Sequence, residues 1–376
     1  MIGILGATGS VGAAATAHLH RLGAGPLRLG ARRREPLHRL AADLPGATTV
    51  EVDVRDPVAL ATFCAGCTLV VNCAGPTYEL KETVAAAALT AGAHCVDVAG
   101  DDPVQEALAA RGLAGTDRTV LLSAGTLPGL SSILPRWLAT EEFDKADALT
   151  AWVGGVEHCS PVVAVDMMLS LQTGGAGGQA YGEANAAWRA GAARSRILRP
   201  LEDADAPMFT GPVALQPFLS AETRRLAQSL RLHDVDWFNV YPGPQVRNLL
   251  AALPVAAREN ADRADLARRM IRAADLDLAG RSPYYQMVFT MRGVRDGVPA
   301  ERTAVLRVPS SYRLTGLLGA LAAVAVLSGD VPEGVHYTAE VLDPGAVVAA
   351  LHASGEPSLL RVVSGGHDAD TEEGSL

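Results

Sequence analysis

The chain has 376 residues, 49% of them apolar and 19% charged, with a net charge of −9 and a pI near 5.5. That length and composition point to two domains with a substantial core. No Lys/Arg-rich block interrupts the acidic balance, which excludes a nucleic-acid footprint; a small-molecule site needs only one or two arginines and stays open.

Only two of the 32 basic residues are lysines, Lys81 and Lys145. The five cysteines lie in apolar stretches and no basic-then-apolar leader precedes the first strand, so a reduced, cytoplasmic protein is expected. The longest apolar run, 314–327, is 14 residues long, which suits a buried helix better than a membrane span.

Residues 2–5 (IGIL) read as a short buried strand, followed by a helix over 10–23, a strand over 27–30 and a polar-faced helix to about Asp43. A third strand covers 48–54, and Asp56-Pro57 opens a short helix in the usual cap-then-proline order. Further strands fall at 68–75, 94–100 and 119–125, with a helix at 82–92. Nearly all-apolar strands alternating with helices predict an α/β Rossmann domain over 1–128, a doubly wound parallel sheet covered on both faces. After GTLPGLSS the rhythm changes. GGAGG at 174–178 reads as a loop, 220–230 and 259–276 as helices, and 284–308 as a β-hairpin around Asp296-Gly297. These form an inserted α+β domain, 129–311. An apolar helix at 312–328 and a return segment to 364 are expected to pack on the first domain, and the acidic residues 365–376 to be disordered.

The stretch ILGATGSVG, residues 4–12, follows the first strand and opens the first helix. Its spacing is G-x-x-G-x-x-G. Glycine lets a backbone approach a pyrophosphate, and a helix N-terminus offers free N–H groups and a positive dipole. Gly6, Thr8, Gly9, Ser10, Val11 and Gly12 are therefore the expected phosphate cradle. An NAD site would place an acid at the end of the second strand. Here that strand runs into Arg32, Arg33 and Arg34, with no acid before Glu35. Guanidinium forks suit a 2′-phosphate, so Arg32 and Arg33 point to NADP(H). Asp53 and Val54 are expected at the adenine edge. Cys73, Ala74, Gly75 and Pro76 are expected at the nicotinamide ribose, with Gly125 lining the same crevice, because such sheets bind ligands at the carboxyl ends of their strands.

Taken together, GATGSVG, GARRREPL, CAGPTYELKETV, AGAHCVDVAGD and AGTLPGL resemble the saccharopine dehydrogenase-like family of NAD(P)-dependent reductases. The likeness covers about 130 residues and resumes weakly at LTGLLGALAAVAVLSGDVPEGVHYTAEVLDP. The resemblance implies an inserted domain that supplies the substrate pocket and a homodimer contact. It also implies hydride transfer to a small molecule, most characteristically to an imine formed from an amine and a carbonyl. Two departures stand near the implied nicotinamide. Lys81-Glu82 replaces the family's Gly-Glu, and Asp101 replaces a glutamate. Reduction of a C=C or C=O bond on an acyl substrate, or a cofactor-sensing regulator without chemistry, are the alternatives.

Short-chain dehydrogenases use a tyrosine with a lysine four residues on. Thr77 and Glu141 occupy those places before the two lysines, which removes that mechanism. Reduction of C=N or C=O needs an acid within hydrogen-bond reach of the heteroatom. The candidates are Lys81, Asp101 and Tyr78 in the first domain, and His158, Tyr181, Asp236 and Tyr241 in the second. His158, Lys81, Asp101 and Tyr241 are put first. Cys64-Ala65-Gly66-Cys67 has no second pair at ligand spacing, so no metal is expected. No membrane partner is expected either.

The cofactor assignment has a direct test. Arg32→Ala is expected to weaken NADPH by roughly 10- to 100-fold, the loss of charge-assisted bonds to one phosphate, and to leave NADH nearly unchanged in parallel fluorescence titrations.

Overall fold

The computed structural model describes residues 1–172, 181–258 and 262–364. The glycine-rich loop at 174–178, the start of the helix expected at 259, and the tail at 365–376 lie outside the described residues. The chain divides into two compact units, Met1–Ser131 with Ser311–Val347, and Ser132–Ser310 with Val348–Leu376.

The first unit runs β1 (Ile2–Leu5), α1 (Ser10–Arg21), β2 (Leu27–Ala31), α2 (Arg34–Ala42), β3 (Thr48–Glu51), α3 (Pro57–Cys64), β4 (Leu69–Asn72), α4 (Thr77–Leu80), α5 (Thr83–Thr90), β5 (His94–Asp97), α6 (Asp102–Ala110) and β6 (Thr119–Leu122). Its strands form a seven-stranded parallel sheet, outermost to outermost β16-β6-β5-β4-β1-β2-β3, where β16 is Gly334–Tyr337. The strand order reverses between β1 and β4, the doubly wound pattern that the alternation predicts. β1 and β2 fill their expected runs, whereas β3 to β6 are each shorter than theirs; β3 ends at Glu51, leaving Asp53 and Val54 beyond it.

Alternate residues of these strands serve two cores. Ile2, Ile4, Leu69, Val71, Val96 and Leu121 face α1, α2 and the long helix α12 (Ser311–Ser328). Leu5, Val70, Cys95, Val120 and Leu122 face α3, α5 and α6. Phe63 is fully buried over Gly3 and Gly30; a Cβ on Gly30 would come 2.5 Å from its ring. Cys64 and Cys67 are buried where α3 ends, and Arg28 donates to the Phe63 and Ala65 carbonyls, 2.6 Å each, as a cap on that helix end.

The helix α12 is longer than its apolar run. At 18 residues it is long and apolar enough to cross a membrane by length and composition, but it is half buried inside the first unit, packed on α1. A Cβ on Gly316 would meet Ala14 Cβ and Ala15 N at 2.6 Å. After α13 (Thr338–Val341), α14 (Pro344–Ser354) carries the chain out of this unit.

The second unit is entered along α7 (Leu130–Glu142) and continues through β7 (Lys145–Val156), α8 (Pro161–Gln172), β8 (Gly182–Ala184), β9 (Ala187–Arg189), β10 (Ala192–Arg194), β11 (Leu201–Ala204), β12 (Val213–Ser220), α9 (Ala221–Ser229), β13 (Asp234–Tyr241), α10 (Pro244–Arg258), α11 (Arg263–Leu278), β14 (Tyr284–Arg295) and β15 (Val298–Val308). These build a mixed ten-stranded sheet with the path β10-β9-β13-β7-β14-β15-β17, where β17 is Leu359–Ser364; β12 pairs β13, β11 and β8 off that path. Along β7 the neighbour β13 is parallel and β14 antiparallel. The predicted hairpin is β14–β15, with Asp296 at φ 51° and Gly297 at φ 76° as its turn demands. The return segment is a correction. Residues 312–347 stay with the first unit, but β17 pairs antiparallel with β15, because an eleven-residue strand offers an open row of backbone donors and acceptors.

Several helix ends have explicit caps. Ser220 accepts from Thr223 N, Asp262 from Ala264 N, and Asp277, from α11, accepts from Gln245 N and Val246 N at the start of α10. On one flank α8, α10 and α11 share a core of Ala164, Leu249, Leu266 and Met270.

Gly→Ala in a helix interior ordinarily stabilises by about 1 kcal/mol. Gly316→Ala is expected to do the opposite, lowering unfolding stability by about 1–3 kcal/mol through overpacking against α1, as read from the urea midpoint.

Candidate functional site

The turn from β1 to α1 is shaped by two glycines. Gly6 has φ +74°, and a Cβ there would lie 2.6 Å from the Cys73 carbonyl oxygen after β4. A Cβ on Gly12 would lie 2.2 Å from the Gly6 carbonyl oxygen. So β1, the first turn of α1 and the end of β4 meet at the reversal point only because both side chains are absent. Gly9 is different: its φ is −79° and a Cβ would meet nothing nearer than 3.3 Å. It caps α1 without a side-chain bond, leaving the first-turn N–H groups and the positive helix end for an anion. These residues fit a pyrophosphate.

Beyond β2, an open recess of about 600 Å³ is lined by Thr8, Arg32, Arg33, Arg34, Glu35, Pro36, Arg39 and Glu51. Arg39 pairs with Glu35, and Arg34 Nε donates to His38 Nε2 at 3.3 Å. Arg32 and Arg33 are exposed, and among the described residues neither has a hydrogen-bond or ion-pair partner. Thr8 from the phosphate turn shares this recess with the two unclaimed guanidinium groups, an arrangement that fits a 2′-phosphorylated ribose. Asp53 lies outside it; its carboxylate accepts from Arg55 N at 3.0 Å, while Val54 is buried in the core beside β3. The cap of α3 is Asp56.

At the carboxyl ends of β4 and β5 sits a pair that the motifs contain but residue-by-residue reading passed over. Asn72 Nδ2 donates to Asp97 Oδ2 at 2.7 Å, and Asn72 Oδ1 accepts from Ala74 N at 3.1 Å. Asp97 Oδ1 accepts from Ala99 N at 2.9 Å and Gly100 N at 2.7 Å. Both side chains are buried, so the two strand ends and the loops after them form one hydrogen-bonded unit. Burial pushes the Asp97 carboxyl up against the pull of these donors. Cys73 lies beside it, its thiol pushed up by burial and by Asp97, and the Gly75–Pro76 peptide is cis. Gly125 is fixed from the other side: a Cβ would lie 2.2 Å from the Val98 carbonyl oxygen, while Thr126 donates its N–H to Thr315 Oγ1 on α12.

The acid candidates divide between the units. Lys81 and Asp101 belong to the first, His158 and Tyr241 to the second. Lys81 is exposed at the end of α4 with φ 44° and ψ −125°, a conformation that favours glycine. Glycine adopts this backbone conformation without cost, whereas this chain carries a lysine in it. Asp101 is buried and precedes α6 without capping it. His158 Nδ1 lies 2.9 Å from Asp275 Oδ1, with the two side chains 76% and 51% exposed. Tyr241 ends β13, and burial pushes its phenol up to about 12. Asp236 is taken by Arg189 at 2.5 Å.

Residues 2–116 match the model of the saccharopine dehydrogenase NADP binding domain. A saccharopine dehydrogenase (L-Glu forming) from Saccharomyces cerevisiae shares the fold at a TM-score of 0.65, with 15% identity over 97% of this chain and 99% of that one. A myo-inositol dehydrogenase from Corynebacterium glutamicum aligns over 96% of this chain and 98% of its own at 11% identity and a TM-score of 0.47. The turn, the recess and the matched domain together define an NAD(P)-dependent oxidoreductase. Its first unit is a saccharopine dehydrogenase-like NADP-binding domain, and its cofactor is NADP(H).

The glycines separate folding from binding. Gly12→Ala is expected to cost about 1–3 kcal/mol of stability by forcing the turn apart. Gly9→Ala is expected to leave stability within about 0.5 kcal/mol, since its Cβ would meet only the Gly6 carbonyl oxygen at 3.3 Å, yet to weaken NADPH at least about tenfold by crowding the phosphate cradle. Thermal unfolding and fluorescence titration on the same two variants check both.

Proposed function

We propose that this protein reduces the C=N bond of a small imine, formed from an amine and a carbonyl compound, with NADPH. The observation that carries this reading is the pairing of a saccharopine dehydrogenase-type NADP-binding domain with Lys81 held in a glycine conformation beyond the β4 turn. Saccharopine dehydrogenase names both the matched domain and the yeast protein of shared fold, and the same chemistry is transferred here as a proposal.

Bound NADPH supplies the hydride that reaches the imine carbon. The chain's own task is to hold the cofactor and deliver a proton to the nitrogen as the C=N bond becomes C–N. The first-turn N–H groups of α1 hold the pyrophosphate, and Arg32 and Arg33 hold the 2′-phosphate. The Asn72–Asp97 unit fixes the loops flanking the nicotinamide. Lys81 donates the proton. A non-glycine residue in this backbone region costs about 1–3 kcal/mol, and such strain persists where function keeps it. Asp101 at the next strand-end loop orients the substrate.

Lys81→Gly makes strain and function give opposite signals. Stability is expected to rise by about 1 kcal/mol or more as the backbone relaxes, while kcat falls about 10²- to 10⁴-fold with the loss of a general acid. The assay is NADPH oxidation against panels of amines with keto acids, and of cyclic imines. NADPH binding with no turnover on any panel would overturn the reading in favour of a sensor, and an unchanged kcat in Lys81→Gly would remove the lysine from it.

A further inference from the structure

The acid that an NAD site would carry at the end of β2 is absent from that strand, but the fold brings one in from the next. β3 lies parallel to β2, and Glu51, its last residue, pairs with Ala31, the last residue of β2. The Val52 N–H donates to the Ala31 carbonyl at 3.0 Å, which ties the two strand ends together at the carboxyl edge of the sheet. Directly paired residues send their side chains to the same face, and successive residues to opposite faces. Ala31 belongs to the core on the α1 and α2 face, and Val52 to the core on the other face. The Glu51 side chain therefore leaves β3 on the α2 face, beside the arginines that follow β2.

The charges lining the recess do not cancel in pairs. Its walls hold the arginines Arg32, Arg33, Arg34 and Arg39 and the carboxylates Glu35 and Glu51. Arg39 takes Glu35. Glu51 is exposed, and among the described residues it has no hydrogen-bond or ion-pair partner, just as Arg32 and Arg33 have none. One cavity thus presents unclaimed donors from the turn after β2 and an unclaimed acceptor from the end of β3.

Those two kinds of group want different things at the 2′ carbon of the adenosine ribose. A guanidinium only donates hydrogen bonds, and an ionised carboxylate only accepts them. A 2′-phosphate, itself an acceptor and an anion, is held by the arginines and repelled by Glu51. A 2′-hydroxyl offers the proton that Glu51 lacks, and a hydrogen bond to an ionised acceptor is roughly twice as strong as a neutral one. NADPH and NADH differ only in which of these two groups they carry. The forks therefore favour the first cofactor and the carboxylate the second.

We propose that Glu51 is a specificity-determining residue of the cofactor recess, one that accepts a hydrogen bond from the ribose hydroxyl of NADH and opposes the 2′-phosphate of NADPH. It makes NADH a second cofactor of this protein and sets how strongly NADPH is preferred. The inference rests on the recess in the first unit alone and holds whether or not an imine is the substrate.

The test titrates the full chain and its Glu51→Gln variant with NADPH and with NADH, followed by nicotinamide fluorescence with no substrate present. Glutamine keeps the size of the side chain and removes its charge. Glu51 is exposed, so the thermal midpoint of the variant is expected to be unchanged. NADH is expected to weaken about tenfold, the scale of a charge-assisted hydrogen bond, while NADPH binds as tightly as before or more tightly. The preference for NADPH over NADH therefore rises about tenfold or more. Glu51→Asp, which keeps the charge, is expected to retain more NADH affinity than Glu51→Gln. Arg32→Ala moves the preference the opposite way, through NADPH. An unchanged preference in Glu51→Gln, or an equal loss of both cofactors, would overturn the role, as would a parent protein that binds NADPH and not NADH. Because no turnover is measured, each of these outcomes stays distinct from the absence of imine reduction.

Discussion

The first unit depends on one steric constraint: the backbone of α1 must lie closer to its neighbours than any side chain allows. At its N-terminus Gly12 rests on the Gly6 carbonyl, and along its side Gly316 of α12 rests on Ala14 and Ala15. The helix is wedged between the phosphate turn and a buried apolar partner. Its positive end is thereby aimed at the reversal point between β1 and β4, where the sheet opens. Cofactor placement and core packing are therefore one problem here, and changing either contact moves the other.

Around that fixed helix the polar groups divide by task. Buried ones are satisfied internally, as in the Asn72–Asp97 unit that ties two strand ends together. Exposed ones at the edge of β2 are left unclaimed, as Arg32 and Arg33 are, while neighbouring Arg39 and Arg34 are engaged within α2. A cation that already has a carboxylate partner binds phosphate poorly, so the division matters as much as the number of arginines. Lys81 is a third case, a surface charge held at the expense of backbone comfort.

The second unit obeys a different rule. Its sheet mixes parallel and antiparallel neighbours about β7, and two adjacent glycines, Gly154 and Gly155, let the flanking strands close in. Its helices are fixed by caps rather than by glycine contacts, most clearly by Asp277 reaching from α11 to the start of α10.

Much of the first unit was legible from the chain alone. Apolar strands, the glycine turn, the proline-initiated α3 and the arginines after β2 are local signals, each set by backbone freedom, burial or charge within a few residues. The Asp296-Gly297 hairpin was legible for the same reason. What sequence could not supply were pairings between distant segments. The addition of β17 to β15, the union of Asn72 with Asp97, and the placing of Glu51 beside Ala31 all depend on strand register, which no local pattern encodes. Asp97 stood in a quoted motif without distinction, because an aspartate's role depends on which donors the fold brings to it. The sequence by itself determined the dinucleotide-binding class and the preference for a 2′-phosphate, since those rest on turns and charges close along the chain. Only the tertiary structure decided which arginines remain free, which lysine is strained and which distant strands pair, because those follow from contacts made between segments far apart in the chain.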